Sequence, residues 1–600
     1  MGESLNSKLD ALLIDLRVTP MSTKPHALVF DPDKRHWLSF ANPIACIEAT
    51  TLECVEAALR QIEERTRRER LWAVGWVSYE ASPAFDPALT VRNDGSFPMV
   101  WFGLFTEPTI LSQLPSSEPT SPLVWSSSIS KAEYLSSIHA IKERIGKGDT
   151  YQVNYTFRLT STARSSPLSI LKDMVDAQAG TYSCLVESER FSLVSASPEL
   201  FFRKDGTTLR SRPMKGTRPR GRTLAEDAAT AQGLRDTPKD RAENTMIVDM
   251  VRNDLSKIAA RRSVHVTSLC EVEKYPNVFQ MTSEVSAHST SSLVETFKAL
   301  FPPASITGAP KASTMKIITE LESTPRRVYT GALGVISPHD KMWFNVAIRT
   351  ALLDRVTGTI EYGIGSGVVW DSSGETEYQE CLDKASAITK HSRPQELFET
   401  ILWEPTSPHG FFLLEEHITR LKESAEYHSY NFDETVARRS LATIHAELRT
   451  QTLPHRVRLR LSRSGDILSD HNVLTPLPHP YKVSLARESI HSLDRRLFHK
   501  TSERQPYDDA IPSSSSSHDV ILWNERGEIT ESRIANIVLE IEGKLFTPPV
   551  SSGLLGGCYR NHLIENGELH ERVLTNDDIR RATRVIFINS LRRAWEVEVY

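Results

Sequence analysis

The sequence predicts a mixed helix-and-strand protein made of two unlike units in tandem. Three observations carry this. Six hundred residues are more than one hydrophobic core organises. Apolar strand-like runs alternate with amphipathic helical stretches from about residue 25 onward, with no internal repeat. A helical pattern ends near His391, Pro394 lies just beyond it, and a fresh pattern begins at Leu397, so His391–Gln395 divides the chain. The expected segments are 1–130, 131–392 and 393–600.

Bulk properties narrow the function. The chain is 39% hydrophobic and 24% charged, with 71 basic against 76 acidic residues and a net charge of −5, so nothing global favours nucleic acid or an anionic membrane. Six cysteines (Cys46, Cys54, Cys184, Cys270, Cys381 and Cys558) are scattered without a CxxC pair, which suits a reducing compartment. The start, MGESLNSKLD, carries no apolar signal core, and no apolar run reaches the length of a membrane span. The expectation is a cytoplasmic protein.

In chain order, Val55–Arg67 reads as an amphipathic helix, Leu71–Tyr79 and Met99–Phe105 as strands, and Leu111–Ser128 as a long surface loop. Lys131–Gly146 is helical. Tyr182–Ala196 and Leu200–Arg203 read as strands, and Thr237–Ala260 as a helix capped by Thr237 with Pro238 at its first position. Ser291–Leu300 and Ser305–Glu322 are further helices. Leu333–Ile336, Trp343–Leu352 and Thr359–Val369 are strands, and Glu375–His391 is a closing helix. Beyond the division, a strand at Leu397–Trp403 is followed by helices at Leu414–Tyr430 and Asp433–Arg449. Strands then follow at Arg456–Ser462, Tyr481–Arg487, Val520–Trp523, Ala535–Ile541 and Val585–Ile588, and Ser513–Ser517 is a serine tract read as an insertion.

The residues of chemical interest begin with Arg212–Gly221, RPMKGTRPRG. Pro and Gly imply a turn holding Lys215, and Arg212, Arg218, Arg220 and Arg222 crowd it. Such a basic run is ordinarily a solvated surface loop. Neighbouring positive charge, however, lowers a lysine pKa and would make Lys215 a nucleophile. Asp240 and Glu243 share one helix face, as do Glu377 and Glu380 with Lys384 beyond them, and two such faces together would suit magnesium. Gly363–Gly367 follows a strand and Ile306–Lys311 precedes a helix; each offers backbone N–H groups to an anion. Arg349, inside an apolar strand, needs an anionic partner. Together these suggest a small polycarboxylate ligand.

DRAENTMIVDMVRNDL, SITGAPKASTM, IRTAL, YGIGSGVVWDSSGETEYQE and SASPELFF resemble the chorismate-using enzymes, across roughly Tyr151–His391. That family includes anthranilate synthase, isochorismate synthase and aminodeoxychorismate synthase component I. The resemblance implies an α+β fold of large antiparallel sheets with flanking helices. It implies chorismate as substrate and magnesium held by Glu243 and Glu380, with Asp240 and Glu377 as neighbours. It also implies substrate contacts from Thr307, Tyr329, Arg349, Gly365, Gly367 and Lys384. Anthranilate synthases usually carry Ala where this chain has Lys215, and a histidine where it has Gln280. Aminodeoxychorismate synthases carry the lysine, which implies a covalent role for Lys215 in amination at ring carbon 4, with Glu199 as general acid/base. No segment resembles a glutaminase, so ammonia is expected from a separate glutamine amidotransferase subunit or from solution.

In the second unit, Lys500, Arg420, a carboxylate in Glu528–Ser532, and Ser552–Gly557 before a helix at Cys558–Glu565 are the parts of a pyridoxal 5'-phosphate site. The pattern resembles the class IV aminotransferase fold across about Leu397–Tyr600. It implies that Lys500 binds the cofactor aldehyde and moves protons, Glu531 pairs with the pyridine nitrogen, Arg420 grips the phosphate, and Gly557 helps cradle it. Cys558 stands where the family often has Val or Ile, and the usual threonine after it is replaced by Tyr559. The relatives commonly dimerise, which implies a homodimer through this unit. Adjacency to an aminodeoxychorismate synthase would make this unit an aminodeoxychorismate lyase releasing 4-aminobenzoate and pyruvate. The alternative is a true amino-acid aminotransferase.

Overall fold

The computed structural model describes residues 25–118, 123–162, 165–178, 180–389, 394–407, 410–510 and 517–600. Most of the serine tract, and His391–Arg393 of the expected division, lie outside them. The chain forms two compact units, and the division is discontinuous in sequence. Residues up to Pro219 and from Gly233 to Ser392 form the first unit, whereas Arg220–Gln232 folds with Arg393–Tyr600. Among the described residues no helix is long and apolar enough to cross a membrane.

The first unit is α+β. Two ten-stranded sheets make up its centre, and their pairings among the described residues are antiparallel. One runs from Gly308–Ala309 through Gln152–Thr162, Thr359–Val368, Thr350–Asp354 and Phe191–Ser197 to Thr109–Leu111. The other runs from Met214–Pro219 through Val278–His288, Thr208–Arg212, Leu200–Asp205 and Lys341–Val346 to Ala45–Ala49. One buried cluster joins both sheets, with Val29 and Leu193 on one side and Val74, Trp76 and Val335 on the other. The outer faces are covered by helices. Leu52–Arg68, Pro238–Ser256 and Leu293–Leu300 cover the second sheet, and Lys131–Gly146, Pro167–Gln178 and Gly374–Thr389 cover the first. The order is therefore helix, sheet, sheet, helix, the arrangement that buries both faces of each sheet.

Several elements differ from expectation for local reasons. Met214–Pro219 is a strand and not a turn, paired with Val278–His288 through a register shift between Met214 and Thr217. Gly216 sits in that bulge at φ +97°, a conformation that favours glycine. Arg349 lies between two strands at φ +50°, which ends Lys341–Val346 before Thr350–Asp354 begins. Thr237 flanks helix Pro238–Ser256 but makes no side-chain cap; its hydroxyl donates instead to the Gly233 carbonyl at 2.6 Å. Gly363–Gly367 continues the strand Thr359–Val368.

In the second unit, a three-stranded antiparallel sheet, Glu396–Trp403, His455–Ser462 and Ile467–Val473, packs on helices Leu414–His428 and Glu434–Leu448. A nine-stranded mixed sheet, including Asp519–Trp523, Ile529–Ser532 and Asn536–Ile541, forms a separate core. The segment Arg220–Gln232 is bound into this unit. The Arg220 guanidinium stacks 4.4 Å from the Tyr427 ring and donates to the Tyr427 carbonyl, while Tyr427 Oη donates to the Gly221 carbonyl.

Candidate active sites

In the first unit a cavity of about 400 Å³ is lined by residues of both sheets. Lys215, Glu199, Asp240, Glu243, Tyr329, Arg349, Gly365, Gly367, Glu377, Glu380 and Lys384 all line it. Residues as far apart in sequence as Asn154 and Lys384 are thus gathered around one space.

Lys215 reaches it from the bulged strand, and its Nζ lies 3.6 Å from Glu243 Oε2. The expected crowd of arginines is corrected by the structure. Arg212 pairs with Glu273, Arg218 with Asp240 and Thr237, Arg220 with Asp227, and Arg222 with Glu226. Each guanidinium has its own carboxylate, and the lysine faces a carboxylate rather than a cation. Glu199, buried on the strand side, accepts a hydrogen bond from Ser305 Oγ at 2.5 Å. Burial pushes its carboxyl up to about 7, against the pull of Ser305, the Met214 backbone and the Lys215 charge.

Glu243 and Glu380 face the same cavity, each held by a lysine: Glu243 by Lys215, and Glu380 by Lys384 at 2.7 Å. Burial opposes the charge on Glu380, but the Lys384 ammonium and its hydrogen bond hold that carboxyl below its ordinary value. Asp240 is engaged by Arg218, and Glu377 accepts from Ser372 Oγ at 2.7 Å. Among the described residues no three acidic, His or Cys side chains converge as a metal cage. Two carboxylates with room for water and a ligand anion are the donor set that suits magnesium, so these residues fit that ion.

Lys384 Nζ also donates to the Gly365 carbonyl at 3.0 Å. Gly363–Val368 pairs with strand Gln152–Thr162, while its pairing with Thr350–Asp354 stops at Tyr362, leaving one backbone edge toward the cavity. Arg349 reaches the cavity from its left-handed kink, and burial lowers its pKa. The second expected anion cradle is corrected. Ser305 and Ile306 line the cavity, but the Thr307 hydroxyl is fully buried and donates to the Pro303 carbonyl at 2.9 Å. Lys311 turns to Asp254 at 2.7 Å. Gln280 accepts from Thr217 Oγ1 at 2.8 Å and donates to the Gly216 carbonyl at 2.9 Å, fastening the bulge beside Lys215. Ser305 and Gln152 are contacts that sequence reasoning missed.

A family model described as chorismate binding enzyme matches residues 24–390. The chain belongs to that family. Within the family, an anthranilate synthase component 1 of Haloarcula marismortui is 39% identical over 276 residues, covering 45% of this chain and 54% of that protein. The aminodeoxychorismate synthase component 1 of Bacillus subtilis is 37% identical over 259 residues (43% and 55%), and that of Escherichia coli 37% over 268 (44% and 59%). The chain thus spans about half the length of the curated relatives it matches. Among solved structures, anthranilate synthase component I from Streptococcus pneumoniae superposes with TM-score 0.51 at 23% identity, covering 62% of this chain and 91% of that chain. That likeness shows the fold. A second model, amino-transferase class IV, matches residues 396–600.

In this class IV region Lys500 follows a short turn of helix at Arg495–Leu497, and its Nζ lies 5.1 Å from the centre of the Phe398 ring. Burial, then the Arg420 charge, push the amine down to about 8, with Glu399, Arg504 and Glu531 also within electrostatic reach. Glu531 lies within the strand Ile529–Ser532. It accepts from Tyr507 Oη at 2.8 Å, the Leu555 N–H at 3.0 Å and Asn536 Nδ2 at 3.2 Å, and burial pushes it up to about 7. Arg420 donates twice to Glu399, at 2.6 and 2.9 Å, and once to the Gly556 carbonyl, leaving two of its five N–H groups for a ligand. Glu399 also accepts from His417 Nδ1 at 2.7 Å. Gly557 begins helix Cys558–Glu565, and a Cβ there would strike Asn536 Oδ1. Cys558 is buried with its Sγ 3.7 Å from His417 Nδ1. A deprotonatable lysine, an anchored acid and a guanidinium beside a helix start fit pyridoxal phosphate.

Proposed function

We propose that the chain makes 4-aminobenzoate from chorismate in two reactions, the first unit acting as an aminodeoxychorismate synthase and the second as an aminodeoxychorismate lyase. The observation that carries this reading is the gathering of Lys215 Nζ, Glu199, Arg349, Glu243 and Glu380 around one cavity. An amine at that place is what separates aminodeoxychorismate synthases from anthranilate synthases in the resemblance above.

The Lys215 amine adds at ring carbon 2 of chorismate. The double bonds shift, and the carbon 4 hydroxyl leaves as water with the proton that Glu199 carries. Ammonia then adds at carbon 4, the double bonds shift back, and the lysine departs from carbon 2. A carboxyl that stays protonated to about pH 7 is suited to the acid step. Arg349, Tyr329 and Lys384 orient the substrate carboxylates, with the open backbone edge at Gly365 and Gly367 beside them. Glu243 and Glu380 would hold magnesium, whose charge offsets that of the bound carboxylates. Ammonia comes from a separate glutamine amidotransferase or from solution.

In the second unit Arg420 and the helix start at Gly557 would hold the phosphate of pyridoxal 5'-phosphate, and Glu531 would face its ring nitrogen. When bound, that group supplies an electron sink for the bonds next to the substrate nitrogen. Lys500, its amine lowered to about 8, takes and returns the proton of the substrate ring. Aromatisation then drives loss of pyruvate. This unit is expected to form a homodimer, and the six free cysteines suit a cytoplasmic setting.

Pure protein supplied with chorismate, magnesium, ammonia and pyridoxal phosphate tests the whole reading by product chromatography. Pyruvate with 4-aminobenzoate is the expected result. Accumulated aminodeoxychorismate would remove the lyase assignment, and amino transfer to a keto acid would make the second unit an aminotransferase. Anthranilate, or no conversion, would remove the synthase assignment.

A further inference from the structure

Gln152 begins the strand Gln152–Thr162, and its side chain is fully buried. Its backbone is fixed from several directions. It pairs with Ala309, and its carbonyl accepts from Thr150 Oγ1 at 3.0 Å and Thr314 Oγ1 at 3.4 Å. Gly308 has no Cβ to obstruct the approach of that carbonyl. Yet both polar atoms of the Gln152 carboxamide are buried without a hydrogen-bond partner. A dry amide left unpaired is costly and ordinarily avoided. The alternation of side chains along a strand puts Gln152 on the same face as Asn154, which lines the active-site cavity.

The geometry at Gly367 shows what this amide faces. A Cβ placed on Gly367 would lie 2.5 Å from Lys215 Nζ and 3.2 Å from Gln152 Nε2. The lysine amine and the carboxamide therefore flank one small space that exists because residue 367 is glycine. We propose that Gln152 and Gly367 form a socket for the Lys215 amine, with Gln152 as the positioning residue that aims it. The carboxamide can accept an N–H from the amine or donate to its lone pair by turning about its last bond, without adding a charge. Glu243, on the amine's other side, supplies charge but at 3.6 Å fixes direction weakly. A long, flexible lysine needs such a second constraint if it is to meet one ring carbon. Gly367, assigned by resemblance to the substrate, here makes room for the nucleophile.

This inference rests on the synthase reading for its catalytic consequence, but the socket is tested without turnover. Gln152→Met keeps the length and removes both polar atoms. Gly367→Ala, at a backbone angle open to any residue, puts a methyl group where the amine rests. In substrate-free protein, Lys215 is tagged with a dilute amine-reactive reagent and its peptide quantified against surface lysines by mass spectrometry. Both variants are expected to tag Lys215 at least severalfold faster, because the amine is no longer held in the socket. With chorismate and ammonia, kcat should fall about 10- to 100-fold while KM for chorismate stays within about threefold, the pattern of a misaimed nucleophile. Melting temperature should hold within a few degrees for Gln152→Met, since methionine fills about the same buried volume. Unchanged tagging in both variants overturns the socket. Faster tagging in a protein that never aminates chorismate leaves the socket standing and removes the synthase reading.

Discussion

Glu199→Gln separates the acid role of this residue from its structural one. Glu199 is 3% exposed, and burial moves its carboxyl from 4.5 to about 7. At about 1.4 kcal/mol per pH unit this displacement corresponds to about 3 kcal/mol. The folded pKa is raised, so the favourable contribution is complete below pH 4.5 and is lost as pH rises through 7. Glutamine keeps an acceptor for Ser305 Oγ and does not titrate. Urea unfolding of both proteins between pH 5 and 9 should therefore show the wild type losing ground steadily to the variant, by up to about 3 kcal/mol, and levelling off above pH 7 to 8. Amination by the variant should fall by about 10²–10⁴-fold, and the wild-type rate should decline as the acid ionises above pH 7. A stability gap that stays constant from pH 5 to 9 would refute the burial argument. A variant that aminates at the wild-type rate would refute the acid role.

Three further outcomes follow from named contacts. Glu399→Gln leaves Arg420 and His417 buried beside a neutral amide and should cost about 3–5 kcal/mol in chemical denaturation. His417, raised to about 9 chiefly by Glu399 against its burial, stabilises fully below pH 6.5 and loses that contribution as pH rises through 9; the variant should lack this dependence. Gly363→Ala would drive a methyl group into the Tyr329 ring and should cost about 1–3 kcal/mol, with a raised KM for chorismate. Lys500→Ala should abolish the pyridoxyl mass added by borohydride reduction of cofactor-loaded protein, while melting within a few degrees of the wild type.

The first unit's helices and central strands were legible because their apolar residues recur at helical or strand spacing, as at Leu52–Arg68 and Val100–Phe105. The hairpin His265–Lys274 with Val278–His288 was not, because its outer strand is largely exposed and shows no alternation. The cavity residues were named from motif resemblance, but their partners depend on tertiary pairing. The arginines around Lys215 read as one electrostatic field in sequence, and Glu273, Asp240, Asp227 and Glu226 divide it in space. Arg349 looked like a strand residue because the kink that exposes it is a single positive φ among apolar neighbours. Gln152 gave no signal, since an unpaired amide is visible only when its surroundings are known.

The excursion of Arg220–Gln232 has a consequence for how this gene could be taken apart. A single cut near residue 393 looks as though it would release two intact units. The second, made alone, would lack the Arg220–Asp227 pair, both of whose side chains are nearly dry, and the Arg222 carbonyl that accepts from His499 Nε2 at 3.0 Å. His499, kept neutral by burial with its pKa near 4, directly precedes Lys500. The first, made alone, would carry those thirteen residues, 220–232, as an unpacked insertion five positions after Lys215. The two units are stitched by a borrowed segment, so separating them would require relocating that segment as well as breaking the chain.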